Sequence, residues 1–529
     1  MQTTHAPRAE LSTQACDICR KRKVKCKAQS SGYSLSCLRC ERLNLACTFA
    51  LPSRTRGPKK RFLSDTQTQC PAPTVPHRTQ DLCDRDLFKN IMQDYLDYIY
   101  PMVPLVHRPS FQKALQEDRD REDDGFLALT VAIAALVVAT MASRFQAYQS
   151  DPGAIRFESR KDFVHACYQK IMGLRTSSYF DQLSFQKFAV SYLFLASFMQ
   201  IGDQNWSRML TVEAMQLARL LKMHRISEYT GLNCIETQLR KKGFWVMFYG
   251  FVHGHLQNLH GEQLTYLDPA ALQAINPEDL MPLEVDDEMI FENEVLAPET
   301  TEPCLVTGFI IHSRIFWAAM RDPGPSPIGG HCPCARANDT CLQIKHFQER
   351  LNCLQYLGLN MPSFLQMWEP TQAIVNDHDA DERKKTVQLQ LASIRANLHV
   401  THIWLQSLIL DQLEAAQSHS QRRSSIHQVV DLDQKSLWVE REKLSHHLFF
   451  ILFNFPRMSL EANGLHLANK VRDVVASLLG CPFPPEDPIS KKAAEYIQLS
   501  TDVLSRLDSS EGMNTLHLQT WVDTDRIQG

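Results

Sequence analysis

Along most of this chain apolar residues return every three or four positions, the spacing that lines one face of an α-helix. The pattern begins near Asp84, where Leu87, Ile91, Tyr95 and Tyr98 form a first stripe. Prolines stand between the periodic segments and strand-like alternation is rare, which predicts a mainly α fold. Gly125 to Ser143 carries no charge and includes Leu127, Val131, Ile133, Leu136, Val137 and Val138. Its length would allow a membrane span. Six alanines and two threonines dilute it, and no basic cluster flanks one side, so the expectation is a buried helix and no membrane partner.

Before residue 85 the periodicity is missing. Pro52, Pro58, Pro71, Pro73 and Pro76 interrupt any helix, and the polar stretch Thr66 to Gln69 has nothing to bury, so residues 51–85 read as a linker. It opens with Arg54, Arg56, Lys59, Lys60 and Arg61, a run suited to a nuclear import signal, to extra phosphate contacts, or to plain solvation. Charge divides the chain the same way. Residues 1–62 carry fourteen Lys or Arg against three acids, and the other 467 residues carry forty-two against fifty-six. A length of 529 residues exceeds one ordinary core, so a small module (12–50), the linker (51–85) and a large helical domain (86–529) are expected.

The small module holds Cys16, Cys19, Cys26, Cys37, Cys40 and Cys47, spaced C-x2-C-x6-C twice over. A C-x2-C pair lets two thiolates reach one tetrahedral zinc, and a third cysteine six residues on closes a helical turn onto the metal. Each half alone is one ligand short. Two zinc ions sharing two bridging thiolates turn six cysteines into eight ligand positions. Between Cys16 and Cys37 lie Arg20, Lys21, Arg22, Lys23, Lys25 and Lys27, with Asp17 the one acid in that first loop. Such a density of cations implies a polyanion partner, DNA or RNA. So short a segment has too little core to fold by apolar burial, and metal supplies the missing free energy.

The string ACDICRKRKVKC, followed by CLRC and Cys47, resembles the fungal zinc binuclear cluster DNA-binding domain over about residues 15–50. The resemblance implies that Cys16 and Cys37 bridge the metals, that Cys19 and Cys26 complete one zinc, and that Cys40 and Cys47 complete the other. It further implies a first short helix whose C-terminal end enters the major groove of double-stranded DNA. Arg22 and Lys23 then read a CGG triplet, through the O6 and N7 acceptors of guanine. Arg20, Lys25, Lys27 and Arg39 are expected to contact phosphate, which positions without specifying.

A second set of strings resembles the all-helical fungal-specific transcription factor domain. These are Tyr100-Pro101 through His107-Arg108-Pro109-Ser110-Phe111, Glu213 to Arg219, Leu221 to Arg225, Arg240 to Trp245 and Pro282 to Glu288, in that order. The resemblance implies a regulatory role for residues 86–529. The stripe starting at Leu87 is too brief for a coiled coil, so a homodimer, if formed, uses the helical domain. Glu284 to Glu302 and Leu516 to Asp525 offer acidic and apolar residues to coactivators, although the first also suits ordinary structure.

His253, His255 and His260 are expected to be packing or surface histidines. His331, Cys332, Cys334, Cys341 and His346 are read as a loop with incidental cysteines. No phosphate-binding glycine loop, G-x-S-x-G elbow or HExxH helix is found, so nothing supports an enzyme. The expected function is a nuclear, DNA-binding transcription regulator, an activator of a secondary-metabolite gene cluster. The alternative is a regulator of a catabolic pathway, and a competing class is an RNA- or protein-binding zinc module.

Overall fold

The structure is a computed structural model that describes residues 15–27, 36–49, 78–151, 153, 155–256, 266–297, 304–320, 340–367, 382–423 and 434–507. The cations Arg54, Arg56, Lys59, Lys60 and Arg61, the group His331, Cys332 and Cys334, His260, and the segment 516–525 lie outside them. The chain divides into two compact units, residues 1–74 and 75–529.

The small unit contains α1 (Asp17–Lys21) and α2 (Leu38–Arg42), each starting at a cysteine and lasting little more than one turn. Its buried interior consists of Cys16, Cys19, Cys26, Cys37 and Cys40, with Ala15, Ile18, Val24, Leu45 and Cys47 packed around them.

In the large unit the predicted helical character holds, and no strand occurs among its described residues. Its packing begins ahead of the first helix, since Leu82 and Cys83 are buried. Helix α3 (Arg85–Asp94) widens into a π-turn at Tyr95–Ile99, and α4 (Arg108–Gln116) starts with proline in its first turn. The uncharged stretch forms α5 (Asp124–Thr140), where the Asp123 carboxylate accepts the Gly125 and Phe126 N–H groups. It is apolar around almost its whole circumference, and accordingly it is the central buried helix. At Met141 the chain bends by 108° into α6 (Ala142–Ser150), and among the described residues no single helix is long and apolar enough to cross a membrane.

Around α5 pack α3, α7 (Arg160–Met172) and α8 (Phe185–Gln200), and α8 lies along α9 (Gln204–Leu220). Ser159 and Ser184 cap α7 and α8. Next come α10 (Cys234–Leu256), α11 (Pro269–Ala274), α12 (Leu305–Met320) and α13 (Thr340–Leu359). Helix α14 (Glu382–Arg423) is a 42-residue spine that touches α12 and α13. It also touches α15 (Gln434–Asn454), α16 (Arg457–Glu461) and α17 (Gly464–Ala476), while α18 (Pro488–Leu507) closes on α15 and α17. Gly243 permits the close approach of α10, because a Cβ there would stand 2.6 Å from Met223 Cε and 2.7 Å from Phe185 Cε2.

Three of the recognisable strings converge on one carboxylate. Asp287 Oδ1 accepts from Lys242 Nζ at 2.6 Å, and Oδ2 accepts from the Tyr100 hydroxyl and, at 2.9 Å, from the Arg108 N–H. The His107 ring donates to the Asp287 carbonyl at 2.8 Å. Neighbouring acids are engaged too: Glu284 accepts from Thr307, and Glu288 pairs with Arg108. The described part of the acidic segment is thus packed structure at its start, with Glu292 and Glu294 exposed in the turn that follows.

Candidate metal centre and nucleic-acid interface

The small unit repeats itself at an offset of 21 residues. In the first half the N–H groups of Arg20, Arg22, Lys23 and Val24 donate to the carbonyls of Cys16, Ile18, Arg20 and Cys19. In the second half Glu41, Leu43, Asn44 and Leu45 donate to Cys37, Arg39, Glu41 and Cys40, the same pattern shifted by 21. The seams match as well, since Asp17 N–H bonds Thr48 O at 2.8 Å and Leu38 N–H bonds Lys27 O at 3.2 Å. A further bond on one seam only, Thr48 Oγ1 to Asp17 Oδ2 at 2.8 Å, locks the end of the module to its start. Spacing arguments did not reach this lock, because a lone Asp and a lone Thr 31 residues apart carry no local signal.

This duplication brings the six sulfurs together. Cys16, Cys19, Cys26 and Cys37 form one group and Cys16, Cys37, Cys40 and Cys47 another, with all sulfurs of a group within 4.8 Å of one another. Cys16 Sγ stands 3.8 Å from Cys37 and 3.6 Å from Cys40, and Cys19 Sγ stands 3.8 Å from Cys37. Tetrahedral zinc with Zn–S near 2.3 Å has an S···S edge of about 3.8 Å. A disulfide would bring two sulfurs to about 2.05 Å, and all six thiols are free. The donor set therefore fits a binuclear zinc cluster, in which the metal, when bound, supplies the cross-link that so small a core lacks.

Burial raises the pKa of these thiols, pushing Cys19 up to about 12 and Cys40 higher. The two shared sulfurs go the other way. Burial raises Cys37 too, but the Cys40 N–H and the surrounding thiols outweigh it and bring it down to about 6, and Cys16 is lowered by the Cys19 N–H and its own thiol neighbours.

Of the expected DNA-contacting residues, Arg22, Lys23, Lys25 and Lys27 are exposed, and Arg20 and Arg39 are half-buried. Arg22 caps the C-terminus of α1, and Lys23 follows with φ +52°, the left-handed conformation that ends a helix. Asn44 occupies the matching position in the second half with φ +48°. The backbone is repeated but the charge is not. The counterparts of Arg20, Lys21, Arg22, Lys23 and Lys25 are Glu41, Arg42, Leu43, Asn44 and Ala46. The second helix keeps Arg39 and Arg42 in its last turn, but only the first half presents consecutive cations, Lys21, Arg22 and Lys23, at its helix end.

In the large unit His253 is buried and stacked on Trp404 at 5.1 Å, whereas His255 is exposed. Cys341 is exposed at the start of α13, with His346 half-buried one turn on.

Residues 14–56 match the fungal Zn(2)-Cys(6) binuclear cluster domain, and residues 92–250 match the fungal specific transcription factor domain. Both are transcription factor families and not enzymes. The chain is 28% identical over 249 residues to the maltose fermentation regulatory protein MAL13 of Saccharomyces cerevisiae, covering 44% of this chain and 48% of that protein. It is 26% identical over 257 residues to the maltose fermentation regulatory protein MAL63 of the same yeast, covering 45% and 49%. An uncharacterised transcriptional regulatory protein of Schizosaccharomyces pombe is 32% identical over 96 residues, covering 18% of this chain and 14% of that one. The chain spans about half the length of the maltose regulators it matches. No solved structure matches it.

Proposed function

We propose that this chain, a fungal transcription factor of the Zn(2)-Cys(6) binuclear cluster class, binds CGG-containing promoter sites in the nucleus and activates genes of a catabolic pathway. Cys16 and Cys37 bridge two zinc ions, Cys19 and Cys26 complete one, and Cys40 and Cys47 the other. Arg22 and Lys23 read guanine edges in the major groove, while Arg20, Lys25, Lys27 and Arg39 hold phosphates. The observation that carries this reading is the asymmetry of the repeated module. Two matching backbone halves hold the metals, and one half alone presents consecutive cations at an exposed helix end.

The pathway reading leans on the relatives, whose names are those of maltose fermentation regulators. They favour a catabolic route over the secondary-metabolite cluster expected from sequence. Arg54, Arg56, Lys59, Lys60 and Arg61 serve nuclear import, phosphate contact, or both.

Fluorescence anisotropy on the zinc-loaded chain tests the reading, with a CGG duplex, a permuted duplex and single-stranded RNA in competition. Preference for the CGG duplex is expected, and preference for RNA would overturn it. Chromatin immunoprecipitation with sequencing then separates the pathways, since peaks at sugar-catabolic genes support the reading and peaks confined to a biosynthetic cluster reverse it.

A further inference from the structure

A cavity of about 200 Å³ lies inside the helical unit, walled by α5, α8, α9, α10, α12, α14 and α17. Gln204 and His255 on its lining are exposed, which marks its route to solvent. Most of the wall is aliphatic or aromatic, but α10, α12, α14 and α17 bring a polar cluster to it.

Lys470 is the centre of that cluster and is 2% exposed. Its ammonium lies over the rings of Trp404 and Phe316 at 5.8 and 6.0 Å, and donates to Thr401 Oγ1 at 2.6 Å and Asn397 Oδ1 at 3.4 Å. An ammonium has three protons to donate. No carboxylate stands within ion-pair distance of it among the described residues. The other buried lysine of the core, Lys242, has Asp287, and buried Arg441 has Asp411 and Glu414. An isolated buried cation is costly, so one without a counter-charge needs a reason.

The titratable groups around Lys470 are imidazoles. His466 precedes it by one turn on α17, His253 stands 4.4 Å from His466 between ring centroids, and His312 shares Thr401 Oγ1 at 3.2 Å. His253 Nδ1 donates to the Tyr249 carbonyl at 2.8 Å, which leaves its Nε2 buried and without a partner; His466 Nδ1 is likewise unpartnered. Burial, and then the nearby like charge, holds all three imidazoles below their ordinary pKa, and burial brings Lys470 down to about 7. A lysine amine with no described carboxylate beside it and two unsatisfied ring nitrogens therefore meet at one cavity, whose remaining wall mixes apolar residues with Thr140, Gln200, Gln204, Ser207 and Thr211.

We propose that this cavity is a binding site for a small organic carboxylate, its carboxylate accepting from Lys470 Nζ and from His466 Nδ1–H, its apolar body against Leu136, Tyr192, Met199 and Met215. The volume sets the size, because a cavity of about 150 Å³ accepts benzene. A monocyclic or short branched acid fits, and a nucleotide does not. The site belongs to the 75–529 unit and the cysteines to the 1–74 unit, so its failure leaves the DNA-binding reading standing.

Benzoate and its uncharged isostere benzamide are the probes, titrated calorimetrically into the zinc-loaded full chain. Benzoate is expected to bind at least tenfold more tightly, and Lys470→Met to reduce it to the level of benzamide. Equal binding of the two probes, no saturable benzoate binding at millimolar concentration, or an unchanged preference in the variant overturns the proposal. Should Lys470→Met not fold, acetylation of Lys470 in the wild-type chain, read by peptide mass spectrometry, decides the matter. Protection by benzoate but not by benzamide supports the site, and equal labelling with both sinks it.

Discussion

Lys242 on α10 and Asp287 in the segment before α12, 45 residues apart in the chain, meet at 2.6 Å with 2% and 1% of their side chains exposed. Tyr100 and the Arg108 N–H complete the carboxylate's shell. Four separate donors to one buried residue make this junction a point where the N-terminal part of the helical unit, α10 and the acidic segment are fixed together.

Breaking one side of it strands a buried charge. Asp287→Asn or Lys242→Met is expected to destabilise the helical unit by about 3–5 kcal/mol. The double variant Lys242→Met with Asp287→Asn should lose less than the sum, because no charge is left uncompensated. Urea unfolding followed by tryptophan fluorescence checks this, and additive losses would contradict the pairing.

The same junction predicts a pH dependence. Burial alone raises the Asp287 carboxyl, but the Lys242 ammonium and the Tyr100 and Arg108 donors outweigh it and lower it to about 2 from 3.8. A depressed carboxyl contributes stability that is fully present above 3.8 and lost as pH falls toward 2. The stability gap between wild type and Asp287→Asn should thus be constant above pH 5 and narrow below pH 4. A gap that widened on acidification would reverse the assignment.

Zinc removal should separate the two units. Chelation is expected to abolish DNA binding and leave the thermal transition of the helical unit in place. Cys37→Ser, which removes a sulfur common to both groups, should lower zinc content by more than Cys47→Ser, which belongs to one. Atomic absorption on the purified variants gives the answer, and equal loss would argue against bridging.

Lys23→Asn isolates base reading from folding. Asn44 already adopts the same left-handed backbone in the matching half, and asparagine tolerates it better than alanine. The variant should keep both zinc ions and lose about 1–3 kcal/mol of preference for CGG over a permuted site. Lys25→Ala should weaken all duplexes alike and reduce the salt slope by about 1. Retained base preference in Lys23→Asn would remove Lys23 from the readout.

Much of this protein was written in local spacing. Chelation needs ligands a few residues apart, so the two C-x2-C-x6-C runs announced a metal cluster, and a cation run on so small a module announced a polyanion. Helical periodicity likewise marked the chain from Asp84 onward as mainly α, and the uncharged run at Gly125 marked the buried α5, although the helix ends at Thr140 and the chain bends at Met141 before Ser143. The tertiary structure decided what joins distant segments. The 21-residue pseudo-repeat of hydrogen bonds, the Asp17–Thr48 lock, the pairing of Lys242 with Asp287 and the lack, among the described residues, of a carboxylate beside Lys470 all depend on which surfaces cross. A lysine looks the same in sequence whether it meets a carboxylate, solvent or a cavity; only the packing of α10, α12, α14 and α17 tells Lys470 from Lys242.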